Sequence, residues 1–253
     1  MRLIRVNTKA ICEHLEWDST FFGYRIARAT VNRLTETQMS DLLAWCDDQA
    51  IDCLYFLADP GDPLTVRLAE SHDFRFVDIR VTYERQVTRS PLPLKSSPRV
   101  RDFVEQDIPA LREIAATSHR DSRFYYDGGF AVPLCDALYE TWIEKSCHGW
   151  ATNVLVAEWE GRPVGYSTCH VKSPEIGQIG LTGLHSGARG KGLGQDLVNQ
   201  DVFWFNQQGV ETVRVVTQGR NTQAQRLYEK CGFLTRTVEL WYHRWFLNSG
   251  SKT

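Results

Sequence analysis

The chain has 253 residues, 42% apolar and 24% charged, which is enough to bury one large core or two small ones. Its net charge of −2 supplies no global field toward nucleic acid or an anionic membrane, so neither is expected as a partner. The opening MRLIRVNTKAICEHLEW turns polar too soon for a secretory signal, and no apolar run reaches membrane-spanning length. Seven scattered cysteines without a Cys-x-x-Cys pair point to free thiols in a reducing cytoplasm, with no metal site.

One boundary is legible. TRSPLPLKSSPR, Thr88 to Arg99, has the proline- and serine-rich composition of a linker. It divides an N-terminal domain, residues 1–90, from a C-terminal domain, residues 100–253, with 91–99 between them.

After the linker, Ile108, Leu111, Ile114 and Ala115 recur at helical spacing, with Asp107 and Pro109 where a helix starts. CDALYETWIEKSC predicts a second helix with Leu138, Trp142 and Ile143 inward. TNVLVAEW and PVGYSTCHV, joined at Glu160 and Gly161, predict a β-hairpin. EIGQIGLTGLH continues as a strand, although it carries Gly177, Gly180 and Gly183. Glycine weakens a strand unless backbone must approach closely, so this strand is expected to expose backbone to a ligand. A helix to about Gln208, the buried strand ETVRVVT, a helix over NTQAQRLYEKCGF ended by Gly232, and two short strands at most complete the chain.

Between the glycine-bearing strand and its helix lies GARGKGLGQDLV, Gly187 to Val198. Bare backbone and positive charge at a helix mouth favour an anion. The loop is not a nucleotide-binding P-loop, because His185 and Gly192 stand where that motif needs Gly and Ser or Thr. Leu197 replaces the third glycine of a dinucleotide fingerprint. What remains is R-x-x-G-x-G: Arg189, Gly192, Gly194.

The N-terminal part repeats the C-terminal one. RLAESHDFRFVDIRVTYER, from Arg67, matches RLYEKCGFLTRTVELWYHR, from Arg226, 159 positions on, at Leu68, Glu70, Phe74, Tyr83 and Arg85. The same separation pairs Trp45 with Trp204 and Gln49 with Gln208 without a gap. The positions matching the glycine loop read TVNRLT, Thr30 to Thr35, and Tyr228 falls on Ala69.

Strand, LHSGARGKGLG, helix, strand, and then Asn221, Ala224, Tyr228, Gly232 and Phe233 resemble the GCN5-related N-acetyltransferase (GNAT) superfamily from about Val100 to Phe246. The resemblance implies an α/β (α+β) GNAT fold, a mixed central sheet flanked by helices, with the smaller N-terminal domain a degenerate half of the same fold. It implies acyl-coenzyme A as co-substrate and no metal. Arg189, Gly190, Lys191, Gly192, Leu193 and Gly194 would cradle the pyrophosphate, with Asn221 and Arg226 beside it. The backbone of Leu181, Thr182, Gly183 and Leu184 would pair with the pantetheine arm. The parting of this strand from ETVRVVT would admit the thioester, Tyr228 would protonate the leaving thiolate, and backbone N–H near Leu184 would polarise the carbonyl. Direct attack in a ternary complex needs no covalent enzyme intermediate. The general base is left open among His119, His170, His185 and Glu175.

A second resemblance, carried by LEWDSTFFG, EQDIPALREIA, SRF, WIE and VVTQGRN, is to acetyltransferases of dTDP-linked amino-dideoxy sugars that serve surface polysaccharide and O-antigen synthesis. It implies a nucleotide-linked amino sugar as acceptor. Arg120 and Arg123 would meet phosphate, Phe124, Tyr125 and Tyr126 would stack on base or sugar, and Trp17, Phe21 and Phe22 would close the other wall. A polyamine, an antibiotic or a protein amine is the alternative acceptor, and a coenzyme A-sensing module the alternative class. The resemblance leaves the acyl group open and leaves room for a homodimer.

Overall fold

The computed structural model describes residues 11–87 and 96–246. Most of the linker expected from composition, through residue 95, lies outside them, as do residues 1–10. The chain forms two compact units, Met1–Asp78 with Glu239–Thr253, and Ile79–Val238. These boundaries differ from a division at the linker, because the chain returns to its first unit at the end.

In the first unit the elements are β1 (Cys12–His14), α1 (Glu16–Phe22), β2 (Ile26–Ala29), α2 (Glu36–Asp48), β3 (Cys53–Ala58) and α3 (Pro63–Ser71). β1 and β2 are antiparallel, β2 and β3 parallel. The far half of the last strand, β10 (Leu234–Trp245), completes this sheet antiparallel to β3, from Leu240↔Ala58 to Trp245↔Cys53. Met39, Leu42, Leu54, Phe56, Leu68 and Phe74 fill the core beneath it.

The second unit takes the far half of β4 (Arg75–Gln86), then β5 (Val100–Asp102), α4 (Ile108–Ser118), α5 (Arg123–Asp127), α6 (Val132–Lys145), β6 (Asn153–Trp159), β7 (Arg162–Val171), β8 (Ile176–Leu184), α7 (Leu193–Gln207), β9 (Thr212–Gln218) and α8 (Thr222–Lys230). Its strands lie in the order β4-β9-β8-β7-β6-β5, all antiparallel except β8 beside β9. The predicted hairpin is there, turned by Glu160 and Gly161, both at positive φ, as a tight hairpin turn demands. Asp107 secures the start of α4: its carboxylate takes two bonds from Arg101, at 2.7 and 3.0 Å, and one from the Val104 amide at 2.8 Å. Trp142 is half-buried, while Leu138 and Ile143 are buried as expected. Residues 234–245 form one strand of 12 residues and not two short ones.

The repeat is structural as well as sequential. α3 and α8 share both bounds at the separation of 159, as do β4 and β10. Each repeat's last strand completes the other's ladder: β4 pairs with β9, and β10 pairs with β3. The helices α2 and α7 begin differently. Thr35 and Gln38 close a capping box at the start of α2, so that end is satisfied from within.

Candidate active site

The start of α7 is open. Gly190 and Gly192 have φ of +77° and +79°, a left-handed region that penalises side chains. Gly194 serves packing instead, since a Cβ there would lie 3.3 Å from Leu227 of α8. Among the described residues, the amides of residues 190 to 194 donate to no carbonyl or side chain. Unsatisfied amides at the positive end of a 15-residue helix fit a diphosphate. Arg189 and Lys191 are exposed beside them, and Leu193 is buried, offering only its backbone.

Behind the loop the sheet opens. The β8–β9 ladder runs from Ile176↔Thr212 to Ile179↔Val215 and ends there, although β8 continues to Leu184 and β9 to Gln218. Leu181 to Leu184 therefore lie on β8 where its β9 side is unpaired, while the other side stays bonded to β7. Tyr228, from α8, is buried beneath this gap. Its hydroxyl faces that of Thr182, whose buried oxygen completes no well-formed hydrogen bond among the described residues. Burial holds the Tyr228 phenol well above the ordinary tyrosine range, against the smaller opposing pull of Thr182, so it stays protonated at neutral pH.

The glycines of β8 have another explanation than the expected ligand. A Cβ at Gly177 would strike the Phe205 ring at 2.5 Å, one at Gly180 the Thr168 hydroxyl at 2.6 Å and His170 at 2.7 Å, and one at Gly183 the Tyr166 ring at 2.7 Å. Each makes room for protein side chains packed against the strand.

Asp201 of α7 is wholly buried near the same gap. Its Oδ1 accepts from Ser167 Oγ at 2.5 Å and Cys169 Sγ at 3.2 Å. Desolvation outweighs both bonds and pushes its carboxyl up to about 7. Neither sequence pattern nor motif singles it out.

The four candidate bases separate. His119 Nε2 lies 2.8 Å from the Tyr166 hydroxyl, and its ring stacks on Tyr139 at 4.4 Å. Burial pushes its pKa down to about 4. It follows Ser118, whose hydroxyl comes within 3.5 Å of the Leu184 carbonyl. His170 sits against Thr168 and Trp150, His185 caps Gly187 N–H, and Glu175 accepts from Ser173.

The expected acceptor residues divide. Arg120 pairs with Asp136 at 3.0 Å and lies over Tyr125, whose hydroxyl also bonds Asp136 at 2.7 Å. Tyr126 is 50% exposed beneath Arg220, 3.6 Å above its ring. Arg220 belongs to the VVTQGRN segment, whose pattern alone assigns it no place beside the acceptor residues. Arg123 lies over Phe124 at 4.2 Å. Phe124, 1% exposed, packs against Phe130 and Trp142 and cannot stack on a substrate, contrary to expectation. Phe22, 5% exposed, is likewise a core residue. Trp17 and Phe21 are half-buried and stacked at 5.0 Å, and these belong to the other unit. Asn221 caps α8 by accepting from Ala224 N–H at 3.0 Å, and Arg226 is exposed.

Residues 109–233 match the acetyltransferase (GNAT) family. The chain is 29% identical over 241 residues to a dTDP-fucosamine acetyltransferase of Escherichia coli O6:H1, covering 93% of this chain and 99% of that one. It is 27% identical over 139 residues to the spore coat polysaccharide biosynthesis protein SpsD of Bacillus subtilis strain 168, covering 55% and 48%. A GCN5-related N-acetyltransferase structure from Sphaerobacter thermophilus superposes with a TM-score of 0.65 at 16% identity, covering 92% of this chain and 76% of the other. The architecture is thus the GNAT fold.

Proposed function

This chain belongs to the acetyltransferase (GNAT) family through residues 109–233, and on that premise we propose that it moves a short acyl group from coenzyme A to the amine of a nucleotide-linked amino-dideoxy sugar. The observation that carries this reading is the end of the β8–β9 ladder at Ile179↔Val215, flanked by open loop amides at one end and Tyr228 below.

Coenzyme A supplies the acyl group as a thioester. The amides of residues 190 to 194, with Arg189 and Lys191, hold its diphosphate. The unpaired side of β8 from Leu181 to Leu184 lines the arm, and backbone N–H near Leu184 polarises the carbonyl. The Tyr228 hydroxyl hands its proton to the sulfur as the bond to carbon breaks. On the acceptor side, Arg120, Arg123, Tyr125 and Tyr126 read the nucleotide. The sugar class is supported by the relatives in dTDP-fucosamine and spore coat polysaccharide chemistry. The first unit is read as a half GNAT fold without a coenzyme A site, since its matching helix is closed by Thr35 and Gln38.

The test is thiol release from several acyl-coenzyme A donors, screened against dTDP-linked amino sugars and the same sugars without their nucleotide. Remote binding energy should make the free sugar the poorer substrate. Equal kcat/KM for the two would move the assignment to a polyamine, antibiotic or protein amine. Coenzyme A binding without turnover of any amine would make the chain a sensor.

A further inference from the structure

Beyond the amides and the exposed Arg189, the glycine loop carries a second, differently built cationic feature. Arg99 precedes β5, outside the loop and its motif. Its carbonyl accepts from Glu158 N–H at 2.9 Å, which fixes it beside the end of β6. Its guanidinium then turns to the loop. One nitrogen donates to the Lys191 carbonyl at 3.1 Å, and the other meets Asp196 Oδ2 at 2.5 Å. From the loop itself, the Lys191 ammonium lies 4.5 Å from the centroid of the Trp159 ring, and the Arg99 guanidinium lies 5.9 Å from that same centroid. Trp159 is anchored through its indole N–H to Glu160 at 3.1 Å.

Two cations from distant parts of the chain are thus brought to one indole, at the rim of the amide cradle. Asp196 balances one of them. Lys191 has no carboxylate partner among the described residues, and the ring face holds it in place. A diphosphate held by backbone amides does not require this second charge cluster. A phosphate monoester attached nearby does, because it carries close to two negative charges at neutral pH.

The geometry points to Arg99 and Lys191 as the site that reads the 3′-phosphate on the adenosine of coenzyme A, with Trp159 positioning Lys191. This rests on the coenzyme A reading above and deepens it. It assigns binding roles to Arg99 and Trp159, which no motif includes, and a separate phosphate role to Lys191.

Calorimetry with coenzyme A and 3′-dephospho-coenzyme A, without turnover, tests it. The wild-type chain should prefer coenzyme A by about tenfold or more, as expected for charge-assisted bonds to an exposed phosphate. Lys191→Ala, an exposed side chain, should bring the two ligands within about twofold, lowering affinity for the dephospho form by the smaller factor because its charge also reaches the diphosphate. Arg99→Ala should do the same. Trp159→Leu should reduce the preference part of the way, and rising salt should erode it in the wild type. A wild-type chain that binds both ligands equally overturns the assignment. So does a preference that survives in Lys191→Ala while Arg99→Ala weakens both ligands alike, which would make Arg99 a loop brace. Failure of the wild type to bind either ligand would be a different result, and would remove the coenzyme A reading itself.

Discussion

Ile179 and Val215 face each other across the last rung of the parallel ladder between β8 and β9. Both strands run on past this pair without bonding to each other. The gap places the Tyr228 hydroxyl against Thr182 of β8, on the strand that would lie along the acyl donor.

Tyr228→Phe should therefore lower kcat by about 10²–10⁴-fold, the usual worth of a positioned acid. Affinity for coenzyme A should change little, because the hydroxyl acts on sulfur as it leaves. Pre-steady-state measurement of the chemical step checks this. An unchanged rate would leave Tyr228 a packing residue.

Gly192→Val should abolish coenzyme A binding by calorimetry. The residue holds φ at +79°, where a side chain costs about 1–2 kcal/mol, and its Cβ would stand 3.5 Å from the Arg99 guanidinium. Retained affinity would show that the diphosphate does not lie over this loop.

Asp201 predicts an unusual dependence of stability on pH. Its carboxyl is raised to about 7 by desolvation. The native state then keeps a proton that the unfolded chain gives up near its ordinary value of about 3.9. Stability from this group is full below that value and is lost as pH rises toward 7. His119, pushed down to about 4 by burial, acts in the other direction: its contribution is present above about 6.5 and falls as the solution is acidified. The difference between wild type and Asp201→Asn isolates the first effect. The variant should gain about 2–4 kcal/mol on the wild type between pH 4 and pH 8, read from denaturant melts. Parallel curves across that window would refute the assignment.

Phe124 and Tyr126 are separated by one residue and should behave oppositely. Phe124→Ala removes a core ring and should cost about 3–5 kcal/mol of stability. Tyr126→Ala, at an exposed ring under Arg220, should leave stability nearly intact and raise KM for the nucleotide sugar but not for the acyl donor. A Tyr126→Ala enzyme with unchanged KM for both substrates would remove that ring from the acceptor site.

Features set by neighbours in the chain are legible in the sequence, and those set by distant partners are not. The Glu160–Gly161 turn, the start of α4 at Asp107 and the glycine loop depend on neighbours in the chain. The repeat was legible too, because buried pairs such as Tyr83 and Tyr242 hold equivalent places in their strands. The packing role of the β8 glycines is hidden in the sequence because their partners come from elsewhere: Tyr166, Thr168 and His170 from β7, and Phe205 from α7. Phe124 and Phe22 looked like stacking residues because composition shows an aromatic cluster but not which ring faces inward. The full length of β10 was hidden because its exposed first half, with Thr235, Arg236 and Thr237, lacks the alternation that marks a half-buried strand.

The pairing of β10 with β3 also bears on the order of events during synthesis. β3 leaves the ribosome early, yet its antiparallel partner is translated only after the entire second unit. Until then β3 presents an unpaired edge, the kind of surface that invites association between nascent chains. Closure of the first unit is a late, long-loop event, and such events are slow. A refolding experiment should accordingly show the second unit's amides protected from exchange before those of residues 53–58.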